Sequence, residues 1–459
     1  MATVGINFGS ISSGTGFDVT STVNSILAIE QGIETPWKTQ LTNLKAQDTV
    51  FSGLGTDLAT LSTSLQSLTD FDGVFSAKQG SSSNTEVLAL SSASSSAIAG
   101  SHSIVVNSLA QTSSEFSNRI VNAGDTLSGS LSIQIGSGAA QSITVDSTNN
   151  TLSGLAAAIN SASMGVVASV VKDSSGSRLS LVSSTSGAAG QITLTSSLQD
   201  ATTSTALSFQ TGQTGADASL NVDGIDVTSA SNTVTGAIPG VTFQLLSTSP
   251  SSSSAVQVQI TNDNSAIESA MNSFVTAYNA VVSDIAAQEG KDANGNPQPL
   301  FGDPTLALIQ SQLAGGVLGG AASGSVNSIT QLGLSLGRDG KLTLNTSDLD
   351  GALNANFNDI TGFFQNSGSF GQTLTTTLNG LSSTSTKGAI FLAEQQNTAE
   401  ETALNNSISA EDARIANDKI SLTTELNTAN QVLQSIPSQV NQVNELYSAV
   451  TGFNSTQQG

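Results

Sequence analysis

Apolar residues in the first seventy positions of the chain recur every three or four residues, which is the period of an α-helix. A short stripe covers residues 19–33, and a longer stripe covers residues 37–68. Pro36 stands between them, and the first turn of a helix tolerates proline. The pattern therefore predicts a short helix, a break and a long helix.

The middle of the chain, from about residue 75 to residue 261, loses this period and alternates over short runs, as β-strands do. One amphipathic helix at residues 152–159 interrupts the runs, and Asp223-Gly224 is a favourable two-residue hairpin turn. The runs are residues 87–90, 103–106, 131–135, 143–145, 166–171, 179–182, 192–195, 220–222, 241–246 and 256–260. This part is predicted to contain one or two mostly β domains.

Helical spacing returns at residues 266–285, and a mixed segment with a second turn, Asp339-Gly340, follows. From about residue 391 to the end, a long apolar seam keeps steps of three and four if Glu411 and Asp418 take two of its positions. At one point the seam takes two successive steps of four, from residue 418 to 422 to 426, which is a stutter in the heptad repeat. Pro437 is expected to kink or end the helix.

Seams that persist over several heptads favour helix pairing, either between the two ends of the chain or between different chains. Ordinary core helices are the alternative, and they are the better explanation of a single short stripe. The polar positions carry mainly Asn, Gln, Ser and Thr, which suits helices that pack again inside an assembly. We therefore expect the helices at the two ends of the chain to form pairs.

The composition excludes several classes of function. The 459 residues include 34 acidic and 12 basic side chains, so the formal net charge is 12 minus 34, or -22. Phosphate backbones and anionic membrane surfaces bind clustered cations, and 12 cations spread over the whole chain cannot supply such a cluster. We therefore expect neither nucleic acid nor an anionic membrane surface as a partner. The absence of cysteine excludes disulfides, thiolate catalysis and cysteine-ligated zinc. The length suggests about three domains.

Residues 1–24 lack the basic region and the apolar run of a secretory signal peptide, and no stretch of about 20 apolar residues could span a membrane. A cysteine-free, Lys-poor chain rich in Ser and Thr is typical of an extracellular surface protein. We therefore expect a protein that is exported without a cleaved signal peptide.

Three candidate chemical sites are weak. Residues 333–337 fit the G-x-S-x-G elbow of serine hydrolases, but the single histidine, His102, lies far upstream of Ser335. A hairpin strand beside Asp339-Gly340 explains the same residues. His102 is most simply a strand side chain bonded to its surroundings.

The loop with Asp292, Asn294, Asn296 and Asp303 has calcium-loop spacing. Pro297 occupies the position that needs glycine, and an aspartate stands where a bidentate glutamate is usual. An exposed polar loop is the better explanation. Paired carboxylates on the last helix, Glu400-Glu401 and Glu411-Asp412, are expected to form a solvated face. We predict no enzyme, no metal site and no cofactor.

Several short segments together carry a signal that none of them carries alone. The first is SGTGFDV, residues 13–19. The others, in chain order, are ETPW with Leu41 (34–41), AGSHSIVVNSLA (99–110), NVDG (221–224), IPGVTFQL (238–245), FVTAYN (274–279), LFGD (300–303) and DGKL (339–342). In sequence and in order these segments resemble signatures of the bacterial flagellar hook-associated protein 2 family, the filament caps. Residues 13–19 resemble the opening motif of the family, with Phe17 where leucine or isoleucine is usual. The chain departs from the family pattern at Pro437 and in its last five residues, 455–459.

The resemblance implies an α+β multidomain fold, in which N- and C-terminal helices pair as a coiled-coil-like leg region and one β domain is inserted in another. Residues 151–156 and the turn at 187–190 resemble a module shared with flagellins. The expected domains are a flexible N-terminal helical segment (1–36), a leg helix pairing with the C-terminal half (37–75), a β-rich head domain (76–117 with 211–262), an inserted outer β domain (118–210), a helical and mixed leg domain (263–390) and a C-terminal helix that is partly disordered in the free subunit (391–459).

The resemblance also implies a non-catalytic role in flagellum assembly. The chain would form a ring of its own copies, with five expected, at the distal tip of the flagellum, and would retain exported flagellin and promote its folding. Its other implied partners are the flagellar type III export machinery and an export chaperone. The helix positions expected to contact other copies or flagellin are Leu41, Leu44, Leu58, Leu61, Leu65, Leu404, Ile408, Ile415, Leu422, Leu426 and Leu433.

Two other classes of protein remain possible from the sequence. A flagellin or a hook–filament junction protein also has helical ends around β domains, although the ordered middle segments argue against both. A Ser/Thr-rich surface adhesin would bind a receptor independently of any filament and would explain the composition.

Overall fold

The computed structural model describes residues 16–251 and 253–451. The start of the opening motif, residues 13–15, and the expected departures at residues 455–459 lie outside the described residues. The described α-helices are α1 (Val19–Gln31), α2 (Glu34–Thr69), α3 (Leu152–Ser161), α4 (Asn264–Gln288), α5 (Pro304–Leu318), α6 (Thr346–Gln365), α7 (Phe370–Leu381) and α8 (Ala389–Thr451).

The strands of the same residues lie between α2 and α4, except for one hairpin after α5. They are β1 (Lys78–Ser82), β2 (Leu88–Ala93), β3 (Gly100–Ser108), β4 (Thr112–Ser117), β5 (Leu127–Ser128), β6 (Ser130–Ile135), β7 (Gln141–Thr144), β8 (Val166–Asp173), β9 (Gly176–Ser186), β10 (Ile192–Ser196), β11 (Gln199–Asp200), β12 (Thr205–Ala206), β13 (Phe209–Gln213), β14 (Ala218–Val222), β15 (Ile225–Ser229), β16 (Thr233–Thr235), β17 (Val241–Leu245), β18 (Val256–Asn262), β19 (Leu334–Leu336) and β20 (Leu342–Leu344). All ten strands predicted from alternating runs are confirmed.

The chain divides into two compact units, a helical unit built from both ends of the chain and a β unit, Asp70–Ala270, between them. Helices at both ends and a β-rich middle confirm the α+β fold class. Among the described residues, none of the helices combines the length and the apolar character needed to cross a bilayer.

The first part of the β unit pairs its strands in the orders β1-β18-β3-β14-β15 and β16-β17-β2. Alternating apolar residues from these strands form one core, which includes Ile104, Leu220, Phe243 and Val258. The predicted hairpin turn between β14 and β15 is confirmed. Asp223 and Gly224 both have positive φ, 51° and 88°, as a type I′ turn requires.

The second part of the β unit has its own core, between residues 120 and 207, so one β domain is inserted in another as expected. Its sheets have the strand orders β13-β4-β9-β8, β10-β6-β7 and β12-β11-β5. The predicted helix is α3, and Thr151 caps it by accepting a hydrogen bond from the Gly154 N–H (3.1 Å). The predicted boundaries of the individual domains stay a prediction.

The helical unit is organised around α2, whose apolar stripe, including Phe51, Leu58 and Leu61, is buried. The segment predicted only as mixed contains α5, α6 and α7. At the junction of the last two, three phenylalanine rings pack together: Phe363 stacks on Phe370 with centroids 5.1 Å apart, and Phe364 meets Phe370 edge-on at 5.6 Å. The predicted break after the first helix is also confirmed, since Gly32 and Ile33 separate α1 from α2.

The prediction for Pro437 offered two outcomes, a kink or the end of the helix. The second is wrong, because α8 continues past Pro437 to Thr451. A single proline removes one backbone hydrogen bond, and residues on both sides propagate the helix once it is nucleated. The helical surface of α8 therefore extends well past the end of its contact with α1.

Candidate functional site: the paired terminal helices

The two ends of the described chain meet where α1 packs on α8. Asp18 begins α1 as an N-cap, since its Oδ1 accepts the Ser21 N–H at 3.0 Å. The interface is a small apolar cluster that consists of Phe17, Val19, Val23, Leu27 and Ile415, with Leu422, Leu426 and Leu433 packed against it. The predicted pairing of the N- and C-terminal helices is confirmed.

A hydrogen bond fixes the start of α1 on α8. The Phe17 N–H donates to Oδ1 of Asn430 at 2.9 Å. Gly16 has a φ of +65°, and a Cβ atom there would lie only 2.0 Å from the same Asn430 oxygen. A glycine is therefore required at this close approach. The opening motif thus has a structural role, because it places the backbone against Asn430.

An ion-pair network fixes the other end of α1. Arg414 on α8 binds Asp418 (2.7 Å) and Glu411, and its guanidinium lies 3.7 Å from Glu30 near the end of α1. The hydrogen bond from Arg414 holds the pKa of Glu411 below its ordinary value. Since Phe17 lies near Asn430 and Glu30 lies near Arg414, α1 and α8 run antiparallel.

The first turn of α2 carries a carboxylate that is buried. Glu34 is 2% exposed and pairs with Lys38 one turn later. Its second oxygen, Oε1, is buried without a hydrogen-bond partner among the described residues.

A hydrogen bond also joins α8 to α2, because Asn397 of α8 donates to Oδ1 of Asp48 at 2.7 Å. Polar contacts therefore join α8 to α2 as well as to α1.

The structure divides the eleven predicted contact residues into two groups. Leu44, Leu58, Leu61 and Leu65 are buried in the helical unit itself, and Ile415 is buried under α1. The half-buried members, which another chain could still reach, are Leu41, Leu404, Ile408, Leu422, Leu426 and Leu433. Contact of these positions with another chain stays a prediction.

The last four turns of α8 present an apolar face that the described residues leave exposed. Val440, Val443, Tyr447 and Val450 are at least half exposed, and their spacing of three and four places them on one side of the helix. A stripe of this kind is typical of a surface on which another helix packs.

Two carboxyl groups meet between α2 and α4. Asp57 is partly buried and shares a hydrogen bond with Asp284. Burial, followed by the hydrogen bond and the charge of Asp284, raises the pKa of Asp57 to about 6. The pair is therefore held together by a proton at acidic pH and repels at neutral pH.

This pair predicts that the helical unit loses stability as the pH rises through about 6. The folded-state pKa is above the ordinary value of 3.8, so the stabilisation is complete below pH 4 and is lost above pH 6. We expect a loss of about 1 kcal/mol after solvent screening. Urea unfolding between pH 4 and pH 8 measures it. Asp57→Asn should remove this pH dependence, and the exposed Asp350→Asn on α6 should keep it.

The three weak chemical candidates have structural roles. Ser335 lies on β19 and bonds the Thr343 hydroxyl across the hairpin at 2.7 Å. His102 Nδ1 lies 2.7 Å from Asp223 Oδ2, which confirms a strand histidine bonded to its surroundings. This hydrogen bond holds the pKa of Asp223 below its ordinary value.

The loop with calcium-like spacing uses its carboxylates locally. Oδ1 of Asp292 accepts the N–H groups of Asn294 and Asn296, both at 2.8 Å, and Asp303 caps α5 through the Thr305 N–H at 2.7 Å. Among residues 16–251 and 253–451, no three His, Cys, Asp or Glu side chains are arranged to hold a metal ion.

Sequence reasoning missed Asn430 and Arg414. The spacing of Glu411, Arg414 and Asp418, three and then four residues apart, was a visible signal of an ion-pair network on one helix face. Asn430 gave no such signal, because its partner Phe17 is 413 residues away in the chain.

Two family models match the chain. The model of the flagellar hook-associated protein 2 N-terminus matches residues 15–113, and the model of its C-terminus matches residues 215–449. The unmatched middle contains the core of the inserted β part.

Individual relatives agree with these matches. The chain is 28% identical over 393 residues to the B-type flagellar hook-associated protein 2 of Pseudomonas aeruginosa. The aligned region covers 79% of this chain and 81% of that protein. It is 29% identical over 373 residues to the flagellar hook-associated protein 2 of Escherichia coli K12, covering 75% of this chain and 77% of that protein. Among solved structures, it is similar to the D1-D2-D3 domains of the flagellar cap protein FliD from Escherichia coli, with a TM-score of 0.59, 27% identity, and coverage of 76% of this chain and 99% of that chain.

Proposed function

Because the chain belongs to the flagellar hook-associated protein 2 family, we propose that it caps the growing bacterial flagellar filament. The observation that carries this proposal is the similarity of its fold, over most of its length, to the flagellar cap protein of Escherichia coli. A ring of copies at the distal tip would retain exported flagellin, and the paired terminal helices would act as legs that reach the filament end.

The surface chemistry of the legs supports this mechanism. The last four turns of α8 combine an exposed apolar face with few charged side chains, since Glu445 is the only one after Glu425. Such a helix can pack on similar helices in several alternative positions, because few ion pairs fix one partner or one register. We propose that a leg leaves one subunit site, that a new flagellin folds there, and that the leg then packs again.

The mechanism we propose is mechanical and needs no catalytic residue or cofactor. A ring of five copies, export through the flagellar type III machinery without a cleaved signal peptide, and an export chaperone belong to the same proposal. They rest on the resemblance to the family.

Deletion and complementation in the source bacterium test the proposal. A deletion strain should spill monomeric flagellin into the medium and grow few filaments, and the wild-type chain should restore filaments. Electron microscopy of the purified protein should show rings. Normal filaments in the deletion strain would overturn the proposal, and long filaments formed by the purified chain would instead indicate a filament protein.

A further inference from the structure

The inserted β part contains an open cleft of about 620 Å³ between the edges of two sheets. One wall is β10, the other is formed by residues 206–211, which lead into β13, and these two strands belong to different sheets. The walls meet at one end, where the Leu207 N–H donates to the Leu198 carbonyl (2.8 Å) and the Ser196 hydroxyl donates to the Leu207 carbonyl (3.2 Å). Beyond this junction the two strands are no longer paired, and the cleft lies between them.

Both walls of the cleft present backbone groups that no other strand of the described chain pairs with. Antiparallel strands form their hydrogen bonds through alternate residues. The carbonyl just before β10 accepts the Gly136 N–H (2.8 Å), so the odd-numbered residues of β10 bond β6, and the N–H and C=O groups of Leu194 point into the cleft. On the other wall, the Asn118 N–H donates to the Ser208 carbonyl (2.8 Å), and the backbone groups of Phe209 therefore point away from β4.

This arrangement of two facing sheet edges can hold an extended segment of another chain. Each edge offers backbone donors and acceptors to a strand placed between them. β10 has five residues, and five residues of extended chain span about 16 Å. A segment of this length would pair with both edges at once. Its side chains would alternate between the floor of the cleft and the solvent.

A single carboxylate sets the charge of the cleft. Glu115 of β4 lines it and is only 8% exposed. Among the described residues, its one hydrogen bond joins Oε1 to the Thr211 hydroxyl (2.8 Å). The described lining includes no lysine or arginine, and Arg178 stacks on Phe116, whose side chain lies on the opposite face of β4. Because a carboxylate removed from water is costly unless a cation pairs with it, the occupant that complements this cleft carries a basic side chain.

We propose that the cleft between β10 and β13 binds an extended peptide segment of a partner protein. The backbone of the segment bonds Leu194 and Phe209, and a lysine or arginine side chain lies at Glu115. The site goes beyond the proposed cap function, because it lies outside residues 15–113 and 215–449, which the two family models match. The peptide site and the cap function can therefore fail separately.

Binding of synthetic peptides to the full-length chain, measured by nuclear magnetic resonance, tests this site. The probe is acetylated and amidated Val-Thr-Lys-Thr-Val, in which the lysine faces the floor and the threonines face the solvent. A second peptide has norleucine in place of lysine, and a third is methylated on the backbone nitrogen of lysine. The wild-type chain should bind the first peptide about tenfold more tightly than either of the others, because each of them lacks one polar interaction.

Two variants of the chain test the role of the carboxylate. Glu115→Gln removes the charge and keeps the shape of the side chain, so this variant should bind the lysine and norleucine peptides equally. Glu86→Gln is the matched control, since it makes the same change at an exposed position of the β unit outside the cleft and should keep the preference for lysine. Circular dichroism checks that both variants are folded.

Three outcomes would overturn the proposal. If the wild type binds none of the peptides at millimolar concentration, the cleft does not hold an extended segment. If backbone methylation has no effect while the preference for lysine remains, the cleft binds the ammonium group alone and not a strand. If Glu115→Gln still prefers lysine, the carboxylate does not select the partner. The cap function is unaffected by all three, since the deletion strain tests it independently.

Discussion

Replacing Val23 by aspartate is expected to release α1 from α8 and to leave the rest of the helical unit folded. Val23 is 1% exposed at the centre of the α1–α8 cluster, and its burial contributes about 1.5–3 kcal/mol. A carboxylate in the same place adds a cost of several kcal/mol unless it becomes protonated. A helix of 13 residues is marginal by itself, so α1 should unfold once it no longer packs.

Hydrogen exchange measures this release directly. Amides of residues 19–31 should exchange close to the unfolded rate in Val23→Asp, whereas the amides of α2 should keep their protection. Asn24→Asp is the matched control, because it adds the same charge at the next, exposed position and should leave α1 protected. Equal protection of α1 in Val23→Asp and wild type would show that the cluster does not hold this helix.

The same variant separates folding from cap function. If α1 and α8 act together as a leg, Val23→Asp should fail to restore filaments in the deletion strain, although the purified protein keeps its β unit. Asn24→Asp should restore them. Full filament growth with a released α1 would show that the pairing of these two helices is dispensable for capping.

Replacing Phe370 by alanine is expected to destabilise the helical unit by about 3–5 kcal/mol, the usual cost of removing a buried aromatic ring. Phe370 is fully buried, and its ring contacts both Phe363 and Phe364. The cavity would lie where α6 meets α7, and the neighbouring Gly371 already packs closely on the Phe364 carbonyl and the Thr69 side chain. Little room therefore exists for these backbones to close the cavity.

Chemical denaturation with fluorescence detection checks this value. Trp37 is the only tryptophan and lies on α2, so its emission reports on the helical unit. Phe301→Ala removes an identical ring that is 53% exposed, and its effect should stay within about 0.5 kcal/mol. Similar midpoints for the two variants would contradict a central role of the Phe363–Phe364–Phe370 contact.

The strands that could be predicted are those in which Val, Ile and Leu alternate with polar residues, because burial of one face determines that pattern. β4 escaped prediction, since its sequence TSSEFS is mostly polar. Its buried serines bond the backbone of other strands instead: Ser113 Oγ accepts the Ile192 N–H at 3.0 Å, and Ser117 Oγ accepts the Leu179 N–H at 2.9 Å. A buried hydroxyl with a distant partner looks like a loop residue when only the sequence is available.

For the candidate site, the sequence identified the helices but not the contacts between them. The heptad seam of α8 follows from local spacing, and the pairing with α1 agrees with it. The contact of Gly16 and Phe17 with Asn430 depends on a backbone approach that only the folded chain creates. Likewise, the burial of Leu58 and Leu61 inside the chain depends on the helices that pack on α2, among them α7 and α8, and a stripe on α2 does not specify that packing.

The insertion of the β unit between the two halves of the helical unit has a consequence for how the chain folds. Phe17 cannot meet Asn430 until 413 further residues have followed it. At a synthesis rate of about 5–20 residues per second, this interval is on the order of 20–80 s. When a chain is synthesised or transported from its first residue onward, the whole β unit emerges long before the last part of the helical unit. The contacts within the β unit also join residues that are closer in sequence, so the β unit can fold first. The order of emergence therefore keeps α1 unpaired until its partner segment of α8, residues 415–433, has emerged.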